Sequence, residues 1–139
     1  MKALDTKQLN ARYSFEAPLH HAKIPAGMKI FPADGSVLDL NSHLVHHPEA
    51  TFLVRACGES MIDRGIKDGN ILIVDRALIP VEGDVVIASL DGELTVKTLE
   101  IKDERTYLVA ANKKFLPLEI KPFMQFQIWG VVVHVIHSL

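Results

Sequence analysis

At 139 residues, 48% of them hydrophobic and 23% charged, the chain is large enough for one folded domain with a substantial core. A net charge of −2 and a pI near 6.4 argue against a general binder of nucleic acid or anionic membrane. The single cysteine, Cys57, excludes an internal disulfide and fits a reducing cytoplasm, and no apolar run reaches the roughly 18 residues of a spanning helix.

In chain order, residues 1–38 carry Pro18, Pro25, Pro32 and the turn pair Asp34-Gly35, with no sustained period. That pattern predicts an extended, weakly packed and flexible N-terminal arm without the apolar stretch of a secretory signal. In LDLNSHLVHHPEA, either Asp39 or Asn41 can cap a short helix that Pro48 would end. From Ala50 onward the segments TFLVRA, NILIVD, DVVIASL, ELTVKTLEI, TYLVAA and FQIWGVVVHVI are short, rich in β-branched residues and divided by turn residues. They predict strands. Asp91-Gly92 between two of them marks a two-residue hairpin, because both central positions of a type I′ turn need positive φ. The expected fold is mostly β, a barrel-like or folded sheet over residues 39–139 with one short helix. In the last strand, alternation sends Trp129, Val131 and Val133 to the core, and His134 and His137 to solvent or a subunit partner.

Seven histidines invite a metal reading, and His43 and His47 stand four apart on the proposed helix. No carboxylate or cysteine joins them in a ligand motif, so a solvated helix face is the better reading and no metal site is expected. Ser60 lies in a Gly-Glu-Ser-Met turn between two apolar strands, with no Ser-His-Asp arrangement nearby. Thr95, Lys97 and Leu99 share one face of a strand, with Val96 and Thr98 on the other. Two readings of Lys97 stay open from residue types alone. It can be a surface lysine on a half-exposed sheet. Alternatively it is desolvated, its ammonium disfavoured, and the neutral amine can accept a serine proton without a histidine.

The arrangement as a whole, GESMIDRGIKDGNILIVDRAL followed by GDVVIASLDGELTVKTL, resembles the LexA/UmuD family of self-cleaving Ser–Lys proteins. The resemblance extends through HPEATFLVRACGESM upstream and WGVVVHVI downstream and covers roughly residues 39–139. It implies a signal-peptidase-like β fold in which Ser60 is the nucleophile and Lys97 the general base, with no cofactor. It also implies that the substrate is the chain's own arm, cut at Ala26-Gly27. There Gly27 is followed by Met28-Lys29-Ile30 where such arms usually run Phe-Pro-Ser-Pro, and Pro25 has no N–H to donate. Cys57-Gly58 is rejected as the cut, since cleavage there would split the core. The backbone amides around Glu59 and Ser60 are the expected oxyanion donors.

By the same resemblance the protein is cytoplasmic, cleaves itself when RecA–single-stranded-DNA filaments form, and then acts as a homodimer. Its expected partner is a UmuC-type polymerase in error-prone translesion synthesis during the SOS response. No membrane association and no sequence-specific DNA binding are expected. Two alternatives stand beside this: an uncleaved interaction module on the same fold, and a LexA-like repressor. The repressor needs a helix-turn-helix ahead of the cut, and residues 1–26 show no basic recognition helix. A type I signal peptidase shares the Ser–Lys chemistry, but the sequence has no membrane segment to match.

Overall fold

The computed structural model describes residues 2–8, 16–18 and 37–139. Its architecture is one eight-stranded antiparallel sheet with a short two-stranded ladder beside it. The strands are β1 (Lys2–Gln8), β2 (Glu16–Pro18), β3 (Val37–Asp39), β4 (Thr51–Cys57), β5 (Ile71–Asp75), β6 (Val85–Leu90), β7 (Glu93–Lys102), β8 (Arg105–Val109), β9 (Leu118–Glu119) and β10 (Phe126–Ile136). The large sheet runs β1-β4-β5-β10-β6-β7-β8-β9, and β2 pairs with β3. β1 is hydrogen-bonded to β4 yet also lies against β7, so the sheet curls back toward itself as the barrel-like expectation requires. The expectation that the chain is mostly β with one short helix is met.

β5 and β6 sit in the interior of this curled sheet and are covered on both faces, which is why ILIVD and VVIASL read as continuous apolar runs. Two cores result. Val54, Ala56, Met61, Ile66, Leu72, Val74, Val85, Ile87 and Val96 form one, and Val86, Ala88, Leu99, Leu108 and Val131 the other. The β6–β7 hairpin turns at Asp91 (φ 48°) and Gly92 (φ 85°), the two positive φ values that a type I′ turn demands. β7 and β8 are joined just as tightly through Asp103 (φ 52°) and Glu104 (φ 63°), without a glycine.

Four local readings change. Residues 2–8, inside the stretch read as an arm, form β1 and pair with β4, with Lys2 opposite Cys57 and Gln8 opposite Phe52. The helix, α1, is confined to Leu40–Leu44, with Asp39 at its N-cap. Pro48 does not end it but opens a separate 3₁₀ turn, Pro48–Ala50. This is the first-turn position proline favours, where its missing N–H is no loss.

The alternation expected for β10 is broken. Val131 and Val133 pack on the second core, whereas Trp129 packs on the first, edge-on to Phe52 at 5.2 Å and beneath the Arg76 guanidinium at 4.5 Å. The register of β10 against β6 shifts between Ile128 and Gly130, and each one-residue shift exchanges the two faces of a strand.

His47 lies beyond the helix, so His43 and His47 do not share a helical face. Its Nδ1 lies 2.6 Å from Oδ2 of the buried Asp75, while its carbonyl accepts from Thr51 Oγ1 at 2.6 Å. The hydrogen bond to the Asp75 carboxylate raises the His47 pKa above its ordinary 6.5, against a smaller opposing effect of burial. His47 thus titrates higher in the folded chain than in the unfolded one. Its contribution to stability is complete below 6.5 and is lost as pH rises through the raised value. Replacing His47 by Gln is therefore expected to lower the urea midpoint more in mildly acidic than in alkaline buffer. A midpoint difference that is flat across pH would contradict this assignment. His137 Nδ1 lies 3.1 Å from Asn70 Nδ2, and the His134 ring faces that of His43 at 6.5 Å. Among the described residues, no group of three or more His, Cys, Asp or Glu is arranged to hold a metal, and no helix is long and apolar enough to cross a membrane.

Candidate active site

β4 delivers the chain into the turn that carries Ser60. Gly58, at φ 91°, takes the left-handed conformation that lets the chain leave the strand sharply, and its N–H donates to Asp68 Oδ1 at 2.7 Å. Met61 then drops fully buried into the first core, and Ile66 follows after a 3₁₀ turn, Ile62–Arg64, that ends at Gly65 with φ 77°. The turn is pinned from outside by the segment after β8. Asp63 N–H donates to the Ala111 carbonyl at 2.8 Å, Ala111 N–H to Met61 Sδ at 3.3 Å, and Asn112 Nδ2 to the Glu59 carbonyl at 2.9 Å. Ser60 is thereby held on a rigid corner with 2% of its surface exposed.

Lys97 reaches that corner from the middle of β7. Its register, opposite Val86 of β6, is fixed by the Asp91-Gly92 hairpin. Val96 on the opposite face and Leu99 two residues on are both buried, which anchors the strand on each side of the lysine. The Lys97 amine lies 3.1 Å from Ser60 Oγ, 2.9 Å from Thr95 Oγ1 and 3.2 Å from the Val96 carbonyl. Burial lowers the Lys97 pKa, because the ammonium loses hydration that these neutral oxygens replace only in part. The surface-lysine reading is therefore not the one the structure adopts. Once neutral, the amine can donate to Thr95 Oγ1 and the Val96 carbonyl while its lone pair faces the Ser60 hydroxyl. An amine so placed is able to take a hydroxyl proton.

The two candidate side chains, 37 residues apart in sequence, are thus brought into hydrogen-bond contact. The backbone around Glu59 and Ser60 sits at the same corner. Ala26 and Gly27 lie outside the described residues. Cys57 is half-buried at the end of β4. Beside Lys97 opens a pocket of about 250 Å³ with apolar walls from Leu90, Leu108, Phe115, Leu116 and Leu118. Sequence reasoning placed Thr95 on the face of Lys97 without giving it a task. Asn112 was missed altogether, for a lone asparagine after a strand carries no signal that it will fold back on a turn 53 residues earlier.

Comparison with known proteins shows the family. A family model described as Peptidase S24-like matches residues 18–133. Protein SamA of Salmonella typhimurium is 42% identical over 124 residues, covering 88% of this chain and 86% of that protein. Protein ImpA of Escherichia coli is 41% identical over 130 residues, or 89% of this chain and 86% of its own length. Protein MucA of Escherichia coli is 40% identical over 121 residues, with 84% and 82% covered. With the family matched over most of its length and UmuD-like relatives spanning nearly all of it, the chain belongs to the Peptidase S24-like family.

Proposed function

We propose that this protein is a self-cleaving Ser–Lys peptidase of the SOS response. It cuts its own chain between Ala26 and Gly27 when a RecA–single-stranded-DNA filament favours the docked arm. The product then serves, as a homodimer in the cytoplasm, as accessory subunit of a UmuC-type translesion polymerase. The observation that carries the catalytic part is the 3.1 Å contact between the desolvated Lys97 amine and Ser60 Oγ. Membership of a serine-peptidase family and the SamA, ImpA and MucA relatives support the biological part.

In this reading Ser60 Oγ attacks the Ala26 carbonyl carbon as its proton passes to Lys97 Nζ. The resulting oxyanion is held by backbone N–H groups at the Glu59–Ser60 corner. Collapse of the tetrahedral species breaks the Ala26–Gly27 bond, and Lys97 returns the proton to the departing Gly27 amine. Water, deprotonated by the same lysine, then hydrolyses the acyl-enzyme and frees Ser60. Thr95 Oγ1 and the Val96 carbonyl hold the amine in line for both transfers. The filament supplies no catalytic group. It acts by shifting population toward the docked conformer.

Intact mass spectrometry tests the proposal. The wild type and a Ser60→Ala variant are incubated from pH 7 to 10, with and without RecA filaments. The expected result is fragments 1–26 and 27–139 from the wild type, formed faster with filaments, and an unbroken variant. A wild type that stays whole under every condition would leave an uncleaved binding partner on a peptidase fold. A cut at another bond would displace the assignment of Ala26-Gly27.

A further inference from the structure

We propose that Asn112 is a positioning residue for the oxyanion donor, an inference that rests on the self-cleavage reading above. Its carboxamide has no rotational choice. Lys114 N–H donates to Oδ1 at 3.0 Å, which identifies the oxygen and leaves Nδ2 to donate to the Glu59 carbonyl at 2.9 Å. The peptide joining Glu59 to Ser60 is planar and trans, so its carbonyl and its N–H point in opposite directions. Holding the Glu59 carbonyl toward Asn112 therefore aims the Ser60 N–H away from it. The carbonyl's other partner, Ile62 N–H at 3.2 Å, is the longer bond and comes from within the turn, so it moves with the turn rather than anchoring it. Asn112 lies on the separate segment after β8, directly after Ala111, whose carbonyl accepts from Asp63 N–H and whose N–H donates to Met61 Sδ. It thus fixes the peptide plane against an outside reference, which is the preorganisation that an oxyanion donor requires.

Asn112 has a second task, capping its own loop through Lys114 N–H, and the choice of variant separates the two. Asn112→Asp keeps an oxygen for Lys114 N–H but presents the Glu59 carbonyl with an acceptor in place of a donor. A residue that only caps the loop would tolerate it, whereas a positioning residue would not. Asn112→Leu removes both bonds.

The experiment follows first-order self-cleavage of the full chain against pH for wild type, Asn112→Asp and Asn112→Leu, with thermal unfolding of each. Loss of an oxyanion donor outright costs about 10²–10³ in rate, so loss of its aim is expected to cost roughly ten- to fiftyfold. Both variants should show that loss as a lower plateau, with the pH midpoint set by Lys97 unchanged. Asn112→Asp should melt close to the wild type. In parallel, the peptide boronate matching Lys23–Ala26 is titrated into each full chain. Its boron accepts Ser60 Oγ, the proton passes to Lys97, and a boron oxygen occupies the oxyanion position. The boronate should bind both variants at least tenfold more weakly than the wild type, while the boron-free peptide amide should not discriminate. Wild-type cleavage rates and boronate affinity in Asn112→Asp, or a loss that appears only as a shifted midpoint, would overturn the proposal. If the wild type fails to cleave, the self-cleavage reading falls and the boronate decides alone. Weakened binding in both variants upholds the positioning role, and equal or absent binding refutes it.

Discussion

Replacing Lys97 by methionine is expected to abolish measurable self-cleavage at every pH, with a rate at least about 10³-fold below the wild type, in the middle of the range for a positioned general base. Methionine fills much of the lysine's volume without a proton acceptor, so the strand and its buried neighbours Val96 and Leu99 keep their places. The wild-type rate should climb with pH as the ammonium gives up its proton. It should level off below 10.5, because burial lowers the Lys97 pKa from that ordinary value. Lys97→Arg should be as inactive as the methionine variant, since a guanidinium stays charged throughout. The same depression predicts an opposite effect on stability. A basic group that titrates lower when folded binds fewer protons in the native state than in the unfolded one. Its cost is complete below the folded value and disappears as pH rises toward 10.5. At neutral pH the methionine variant should therefore unfold at higher denaturant than the wild type, with the gap closing in alkaline buffer. Activity gained with pH in the variant would remove Lys97 as the base. A variant less stable than the wild type at neutral pH would mean that the amine is not desolvated as described.

Much of the site was legible because its two side chains sit in segments with strong local instructions. Gly58 and Gly65 bracket the Ser60 turn, and Asp91-Gly92 sets the register that brings Lys97 to it. The residues around the pair were not legible. Thr95 could be put on the right face by period alone, but its bond to Nζ needs the lysine to bend back along its own strand. Asn112 acts across the fold from a loop with no pattern. Among the elements, the β7–β8 turn lacked a glycine to announce it, since Asp103 and Glu104 accept positive φ under the pull of ten paired strand residues. The strand Lys2–Gln8 was missed for a related reason. KALDTKQ has one β-branched residue and no apolar alternation, as a sheet edge often does, and its strand character comes from the free edge of β4 rather than from its own sequence. Spacing alone puts His47 on a helix face, and it cannot reveal that α1 ends at Leu44 or that Asp75, 28 residues later, takes the imidazole.

Replacing Gly130 by alanine is expected to cost about 2–3 kcal/mol, at the upper end for one methyl group forced into a packed core. β10 lies between β5 and β6 in the interior of the sheet, and it is there that its register shifts and its faces exchange between Trp129 and Val131. A Cβ on Gly130 would stand 2.6 Å from Val74 Cγ1 and 3.2 Å from Arg76 Cγ. Val74 is fully buried and has no room to yield, while Arg76 is held over Trp129 with its Nε donating to the Trp129 carbonyl at 2.7 Å. The added methyl must therefore move β10 away from β5, loosening Val74 in the first core and Val131 in the second. For a domain of this size the loss corresponds to a fall in Tm of roughly 6–12 °C. Because the closest contact is with one identified methyl group, Val74→Ala should relieve most of the strain. The double variant is expected to be more stable than the sum of the two single losses by at least about 1 kcal/mol, a coupling that thermal or urea unfolding of all four proteins measures directly. Losses that add within about 0.5 kcal/mol would place the strain elsewhere in the strand. A Gly130→Ala variant as stable as the wild type would mean that the shifted register of β10 is loose enough to absorb a side chain.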